Sequence, residues 1–149
     1  ALDTETTGLD YMDAKLVGIS LSVKSGEAAY IPLAHNHDEQ LPEDLVLREL
    51  KPILESKKTR VIGQNIKFDR NILSRYGINL NSIENDTMLM SYVLNSTASR
   101  HNLDALAQHY LNYKTTTFEE VAGKGVKQIT FDLVPIDKAV HYAAEDADI

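Results

Sequence analysis

The stretch ALDTETTGLD, residues 1–10, has the pattern of a first β-strand that carries acidic side chains. Asp3 and Glu5 are separated by one residue, and alternate residues of a strand face the same side. Both carboxylates are therefore predicted on one face, about 6–7 Å apart along the backbone. Carboxylates held this close repel each other unless a cation lies between them or one of them stays protonated. A solvent-facing edge strand with two surface charges is the alternative interpretation.

The composition is that of an ordinary globular domain. The 149 residues are 43% hydrophobic and 25% charged, which suits a chain with a buried core. Cysteine is absent, which excludes disulfides and thiolate metal sites and is typical of the cytoplasm. The net charge of −7 argues against binding nucleic acid by bulk electrostatics alone, but a small acidic site could handle phosphates through bound metal. No apolar run approaches the roughly 20 residues of a membrane span, so we expect no membrane association.

Both ends of the chain fall inside patterned segments. The chain begins within an apparent strand and stops at Asp148 and Ile149 within a helical pattern. We therefore expect residues 1–149 to form a single domain that is a fragment of a longer polypeptide.

Strand patterns come first along the chain. Residues 16–23, LVGISLSV, alternate apolar and small polar side chains, as a half-buried strand does. KSGE supplies a turn, and AAYIPLA, residues 28–34, reads as the hairpin partner. RVIGQN, residues 60–65, predicts a short buried strand.

From Pro42 onward the apolar period becomes helical. Pro52 is expected to kink or restart a first helix, whose predicted apolar stripe is Leu45, Leu47, Leu50, Ile53 and Leu54. Asn65 and Gly77 are expected to open and close a second helix, and Asp86 to cap a third, TMLMSYVLN. LDALAQHYL and PIDKAVHYAAEDADI predict two more helices. This order predicts a mixed α/β sheet with helices packed on its faces.

Two further pairs of polar residues have helical spacing. Asn65 and Asp69 in GQNIKFDRN are four residues apart, as are Tyr142 and Asp146 in HYAAEDAD, so each pair shares one helix face. Each pair taken alone is also common on a solvated helix.

Together, the patterns D-x-E, N-x-x-x-D and Y-x-x-x-D resemble the three exonuclease motifs of the DEDD superfamily. The segments GQNIKFDR, DTMLMSYVLN, SRHNLDALA, TTFEEVAGKG and YAAEDAD extend the resemblance over essentially the whole chain. They are similar to the 3′→5′ proofreading domain of bacterial DNA polymerase I, of the tyrosine type. This resemblance implies a ribonuclease H-like mixed β-sheet flanked by α-helices. It also implies release of nucleoside monophosphates from single-stranded or frayed DNA 3′ ends during DNA replication and repair.

The resemblance implies a role for each acidic residue. Asp3, Glu5 and Asp146 would hold one divalent metal, and Asp69 would help Asp3 to position a second. Mg²⁺ and Mn²⁺ prefer such oxygen ligands. The implied partners are a single-stranded DNA 3′ end and a polymerase domain of the same chain, and we expect a monomer.

Tyr142 is expected to orient the attacking water through its hydroxyl, because its ordinary pKa near 10 makes it a poor base. HYAAEDA also fits the H-x-A-x-x-D-A pattern of the histidine-type branch, which would use His141. At 100° per residue, Tyr142 lies about 40° from Asp146 around the helix and His141 about 140° away, so the geometry favours Tyr142.

The resemblance also suggests substrate contacts. Leu9 and Phe118 would pack against the terminal bases, and the residues near sugar or phosphate would be Gln64, Asn65, Phe68 and Arg100. Stacking of this kind tolerates any base, which suits an enzyme that removes every nucleotide. Thr4 is a further expected substrate-binding residue, although its side chain is predicted on the opposite face of the strand from Asp3 and Glu5. Leu9 and Phe118 as ordinary core residues, and Arg100 as a surface ion-pair partner, are the alternatives. The histidines His35, His37, His101 and His109 show no spacing typical of a transition-metal site.

Two other functions fit part of the pattern. A stand-alone DEDD ribonuclease would share all four acids, and a non-catalytic module would keep the fold for structure or nucleic-acid contact. The presence of Asp3, Glu5, Asp69 and Asp146 together favours an active enzyme.

Overall fold

The computed structural model describes residues 1–36, 39–97 and 100–149. The strands are β1 (Leu2–Thr6), β2 (Leu16–Lys24), β3 (Glu27–Pro32), β4 (Val61–Gly63) and β5 (Ile83–Asp86). The α-helices are α1 (Glu43–Leu54), α2 (Ile66–Arg75), α3 (Thr87–Leu94), α4 (Leu103–Leu106), α5 (Phe118–Ala122) and α6 (Ile136–Asp148). None of these helices is both long enough and apolar enough to cross a membrane.

The strands form an antiparallel part and a parallel part. β1, β2 and β3 pair in that order, so the predicted hairpin of β2 and β3 is confirmed, and Gly26 makes its turn at a φ of +80°. β4 pairs in parallel with β5, a strand that the sequence patterns did not predict. The backbones of β4 and β1 approach closely at Gly63, where an added Cβ would lie only 2.8 Å from the Leu2 carbonyl oxygen. β4 therefore lies beside β1. The predicted mixed α/β architecture is confirmed.

The core has two parts, one on each face of the antiparallel strands. Ile19 and Leu2 pack with residues of α1, α2 and β4 on one face. On the other face Tyr30 packs with α5, α6 and Phe131. Three buried alanines of α6, Ala139, Ala143 and Ala147, let this helix lie close against the strands. This close packing brings the end of α6 next to β1.

The predicted boundaries of two helices are confirmed. Asn65 precedes α2 in a left-handed conformation at a φ of 54°, and Gly77 follows it at a φ of +77°. The Asp86 carboxylate accepts a hydrogen bond from the backbone N–H of Leu89, as an N-cap residue does.

The predicted stripe of α1 is partly wrong. The helix buries Val46 and Leu54, whereas Ile53 is exposed. The reason is that Val46, Leu50 and Leu54 follow one another at intervals of four residues and form one row on the helix surface. Pro52 does not restart the helix, which includes this residue and ends two residues later.

The segment LDALAQHYL is less regular than predicted. It begins as α4, continues as a π-helical turn at Ala107–Leu111, and ends at Asn112, which has a φ of 51°.

Candidate active site

Three carboxylates from two elements form one group. Asp3 and Glu5 on β1 and Asp146 on α6 each offer a carboxylate oxygen, and these oxygens lie within 4.8 Å of one another. Glu5 is 8% exposed, and its Oε1 atom has no hydrogen-bond partner among the described residues. A negative oxygen that is buried without a donor is expected where a cation binds.

Burial and mutual repulsion both disfavour the charged forms of these acids. Burial raises the pKa of Asp3 well above its ordinary value, and the charges of Asp69 and Glu5 raise it further. Burial also raises the pKa of Glu5, with Asp146 as the next cause. A divalent cation would remove this repulsion, and an all-oxygen set of ligands fits the hard cations Mg²⁺ and Mn²⁺. The residues present therefore fit a divalent metal.

Asp69 reaches the same cleft from the other side of β1. It lies in the first turn of α2 and is 2% exposed. Its Oδ1 atom accepts hydrogen bonds from the backbone N–H of Thr4 at 2.9 Å and from the Thr4 hydroxyl at 2.6 Å. Burial raises the pKa of Asp69 to about 6, although the hydrogen bonds from Thr4 oppose this shift. Thr4, predicted as a substrate contact, is thus held with its hydroxyl on Asp69.

Tyr142 and Asp146 face the cleft one turn apart on α6. Burial raises the pKa of Asp146 to about 7, and a hydrogen bond with Tyr142 lowers it in part. Burial and the charge of Asp146 raise the pKa of Tyr142, so its hydroxyl keeps its proton and acts as a donor. His141 is exposed on the same helix.

The acids lie in a cleft of about 900 Å³. Phe118 lies at the wall of this cleft and is partly exposed. Its ring stacks on that of Phe131 and meets that of Tyr142 edge to face, with ring centroids 6.3 Å and 6.2 Å apart. Leu9 is 93% exposed at the rim, so it is not a core residue. The lining also includes residues that the sequence patterns did not single out, namely Met88, Asn102, Leu103, Gln128, Ile129, Thr130 and Phe131.

Gln64, Asn65 and Phe68, the expected sugar and phosphate contacts, also line the cleft. The Gln64 side chain accepts from the Thr87 hydroxyl and donates to the His101 carbonyl oxygen at 2.8 Å. The backbone N–H of Asn65 donates to the Asp86 carboxylate at 3.1 Å. The left-handed backbone of Asn65 is uncommon for a residue other than glycine and is often found at functional sites.

Arg100 is not among the described residues that line the cleft. Arg100 is exposed in the segment that leads to Asn102 and Leu103. His37 lies outside the described residues.

Comparison with known proteins identifies relatives over the whole length of the chain. Residues 1–149 match the profile of a 3′–5′ exonuclease family. The chain is 53% identical over 154 residues to DNA polymerase I of Pseudomonas aeruginosa, a match that covers 100% of this chain and 17% of that protein. It is 42% identical over 169 residues to DNA polymerase I of Rhizobium leguminosarum, with 100% of this chain and 16% of that protein covered. The chain thus spans about a sixth of the length of these relatives.

Solved structures confirm the ribonuclease H-like fold. Brucella melitensis NrnC bound to pGG superposes with a TM-score of 0.69 at 20% identity, covering 97% of this chain and 64% of that one. NrnC with bound Mg²⁺ gives a TM-score of 0.66 at 20% identity, covering 99% and 65%. At this identity the likeness concerns the fold alone. Because the family profile matches residues 1–149 and the identity to the polymerase sequences is high, the chain belongs to the 3′–5′ exonuclease family of bacterial DNA polymerase I.

Proposed function

We propose that this chain is a two-metal 3′→5′ exonuclease domain that removes nucleotides from single-stranded or frayed DNA ends, as the proofreading part of a longer polymerase. The observation that carries the proposal is the group formed by Asp3, Glu5 and Asp146, with Asp69 in the same cleft. Phosphodiester hydrolysis needs this many acids, because a nucleophilic water and the charge of the phosphate must both be controlled near neutral pH.

The proposed metal ligands divide between two positions. Asp3, Glu5 and Asp146 would hold one divalent cation, and Asp3 and Asp69 would hold the other. When bound, such a pair activates a water molecule and stabilises the negative charge that develops at the phosphate. Thr4 fixes one oxygen of Asp69 through two hydrogen bonds, which leaves the other oxygen of that carboxylate for the second cation.

Tyr142 is proposed to orient the attacking water. Its hydroxyl is protonated and lies next to Asp146, so it can hold a water at the acidic group without removing a proton. This role requires a placed hydroxyl and not a strong base.

The walls of the cleft suit the end of a single strand. Phe118 and the exposed side chain of Leu9 offer apolar surfaces on which bases can stack whatever their identity. Gln64, Asn65 and Phe68 line the same cleft and are proposed to contact the sugar and phosphate, as is the exposed Arg100. Thr4 is proposed to support these contacts indirectly, through its two hydrogen bonds to Asp69.

A stand-alone ribonuclease is the second candidate. Such an enzyme would share all four acids, so the acidic group alone does not distinguish it from a proofreading domain. The high identity to two DNA polymerase I sequences favours the proofreading domain over it.

Degradation of a 5′-labelled single strand tests the proposal. With Mg²⁺ or Mn²⁺ at low salt, the wild type should produce a ladder that shortens from the 3′ end, and chelation with EDTA should stop it. Asp69→Ala should slow the reaction at least about 10³-fold, whereas Asp44→Ala on the exposed side of α1 should not change it. A ladder that survives Asp69→Ala at the wild-type rate would refute the two-metal assignment. Faster degradation of an RNA strand of the same sequence would favour the ribonuclease.

A further inference from the structure

Tyr30 packs against α6, and its hydroxyl lies over Gly18, the strand partner of Glu5. It lies on β3, and its ring passes over Gly18 of β2, because a Cβ at residue 18 would lie 2.2 Å from the Tyr30 hydroxyl oxygen. Gly18 is paired with Glu5 on β1. The charge of Glu5 is one of the two causes that raise the pKa of Tyr30, together with burial. Tyr30 therefore places a protonated hydroxyl close to a carboxylate of the acidic group.

The hydroxyl of Tyr30 does not donate to Glu5. It is 2.7 Å from Nε2 of His35, whose Nδ1 is 2.9 Å from the Val134 carbonyl oxygen. A carbonyl oxygen only accepts, so Nδ1 of His35 carries a proton. In the neutral ring, Nε2 is then an acceptor, and the single proton of the Tyr30 hydroxyl points to it.

This arrangement accounts for the buried Oε1 atom of Glu5, which has no hydrogen-bond partner among the described residues. Buried carboxylates normally take every donor within reach, yet Oε1 of Glu5 has no partner among the described residues, although the Tyr30 hydroxyl lies over Gly18, the strand partner of Glu5. His35 is 7% exposed and packs between Tyr30 and Phe131, with ring centroids 5.8 Å and 5.7 Å away, so its ring cannot turn freely.

We propose that Tyr30 and His35 are positioning residues for Glu5, with His35 holding the Tyr30 hydroxyl proton away from the carboxylate so that its oxygens stay available to a cation. This proposal rests on the proposed function, in which Glu5 is a metal ligand. It assigns to the buried pair the role that outer hydrogen bonds have at many metal sites, where they set the orientation and the basicity of a ligand. Here the carboxylate of Glu5 stays available because His35 prevents a hydrogen bond from the Tyr30 hydroxyl to Glu5.

The test is a double-mutant cycle on Mn²⁺ affinity. Loss of the His35 acceptor in His35→Leu frees the Tyr30 hydroxyl to donate to Glu5, which should raise the Kd for Mn²⁺ about tenfold. Adding Tyr30→Phe removes that donor, so the double variant should return to within about threefold of the wild type. His35→Leu and the double variant both lose the hydrogen bond from His35 to Val134. If lost stability alone weakened Mn²⁺ binding, the affinity would therefore not recover in the double variant.

Electron paramagnetic resonance of free Mn²⁺ measures the affinity in the intact protein. Glu5→Gln identifies the part of the signal that belongs to this site, and Tyr76→Phe is the matched control, because the Tyr76 hydroxyl accepts a hydrogen bond from the backbone N–H of Leu16. Circular dichroism checks that each variant is folded. An unchanged affinity in His35→Leu, or a double variant as weak as His35→Leu, would overturn the positioning role. A wild type that binds no more Mn²⁺ than Glu5→Gln would instead overturn the proposed function.

Discussion

At the scale of single residues, the site is built from groups that are costly to bury. Asp69 is 2% exposed and Glu5 is 8% exposed, and burial is the largest cause of the raised pKa of each. The period of a strand was enough to predict Asp3 and Glu5 on one face, and the period of a helix was enough to pair Tyr142 with Asp146. The hydrogen bonds of Thr4 to Asp69 join positions 65 residues apart and could not be predicted from local spacing.

The hydroxyl of Tyr142 gives a prediction at this scale. Tyr142→Phe keeps the ring that contacts Phe118 and Phe131 but removes the donor next to Asp146. We expect kcat to fall about tenfold with little change in KM, because one hydrogen bond in the reacting complex is worth about 1 kcal/mol. His141→Ala should leave both constants within about twofold of the wild type. Single-turnover degradation of a labelled strand measures both variants, and the opposite ranking would assign the role to His141.

At the scale of elements, close packing of α6 on the sheet brings the acids together. Ala139, Ala143 and Ala147 face the strands, and on the strand side Gly18 leaves room for the Tyr30 ring. The sequence patterns predicted α6, the hairpin and the N-cap of α3. They did not predict β5 or the π-helical turn, because these segments of 4 and 5 residues are too short for a period to show and β5, IEND, also lacks the apolar residues that marked the 3-residue β4.

Enlarging one alanine of α6 tests the importance of this packing. Ala143 has no exposed surface, so Ala143→Leu should lower the free energy of unfolding by about 1–3 kcal/mol through overpacking. The same substitution should reduce exonuclease activity more than tenfold, because Tyr142 and Asp146 would move away from β1. His141→Leu, at an exposed position of the same helix, should change stability by less than about 0.5 kcal/mol. Urea unfolding provides the comparison, and equal stability of the two variants would contradict the close approach.

At the scale of the whole molecule, the acidic group makes stability depend on pH and on metal. The pKa of Asp69 rises from 3.8 to about 6 and that of Asp146 from 3.8 to about 7 on folding. Between pH 3.8 and these raised values the folded chain binds more protons than the unfolded chain. The free energy of unfolding therefore falls as the pH rises through this range, and the loss is complete above about pH 7. Each pKa unit corresponds to about 1.4 kcal/mol, and a bound divalent cation would cancel the effect.

Thermal unfolding at two pH values checks this linkage. In EDTA, Tm should be several degrees lower at about pH 8 than at about pH 5.5, because the four acids must then be charged together. Mn²⁺ should raise Tm more at the higher pH, where the carboxylates bind it without losing protons. Replacing both Asp69 and Asp146 with Asn should flatten both dependences. A metal-free Tm that rises over this interval would show that the acids are not held against one another.

The central claim is that four carboxylates from three elements hold two divalent metals. Anomalous diffraction from crystals soaked in Mn²⁺ tests this claim most directly. We predict two manganese peaks about 4 Å apart, one among Asp3, Glu5 and Asp146 and the other between Asp3 and Asp69. A single peak, or none, in crystals of protein that degrades DNA would contradict the account.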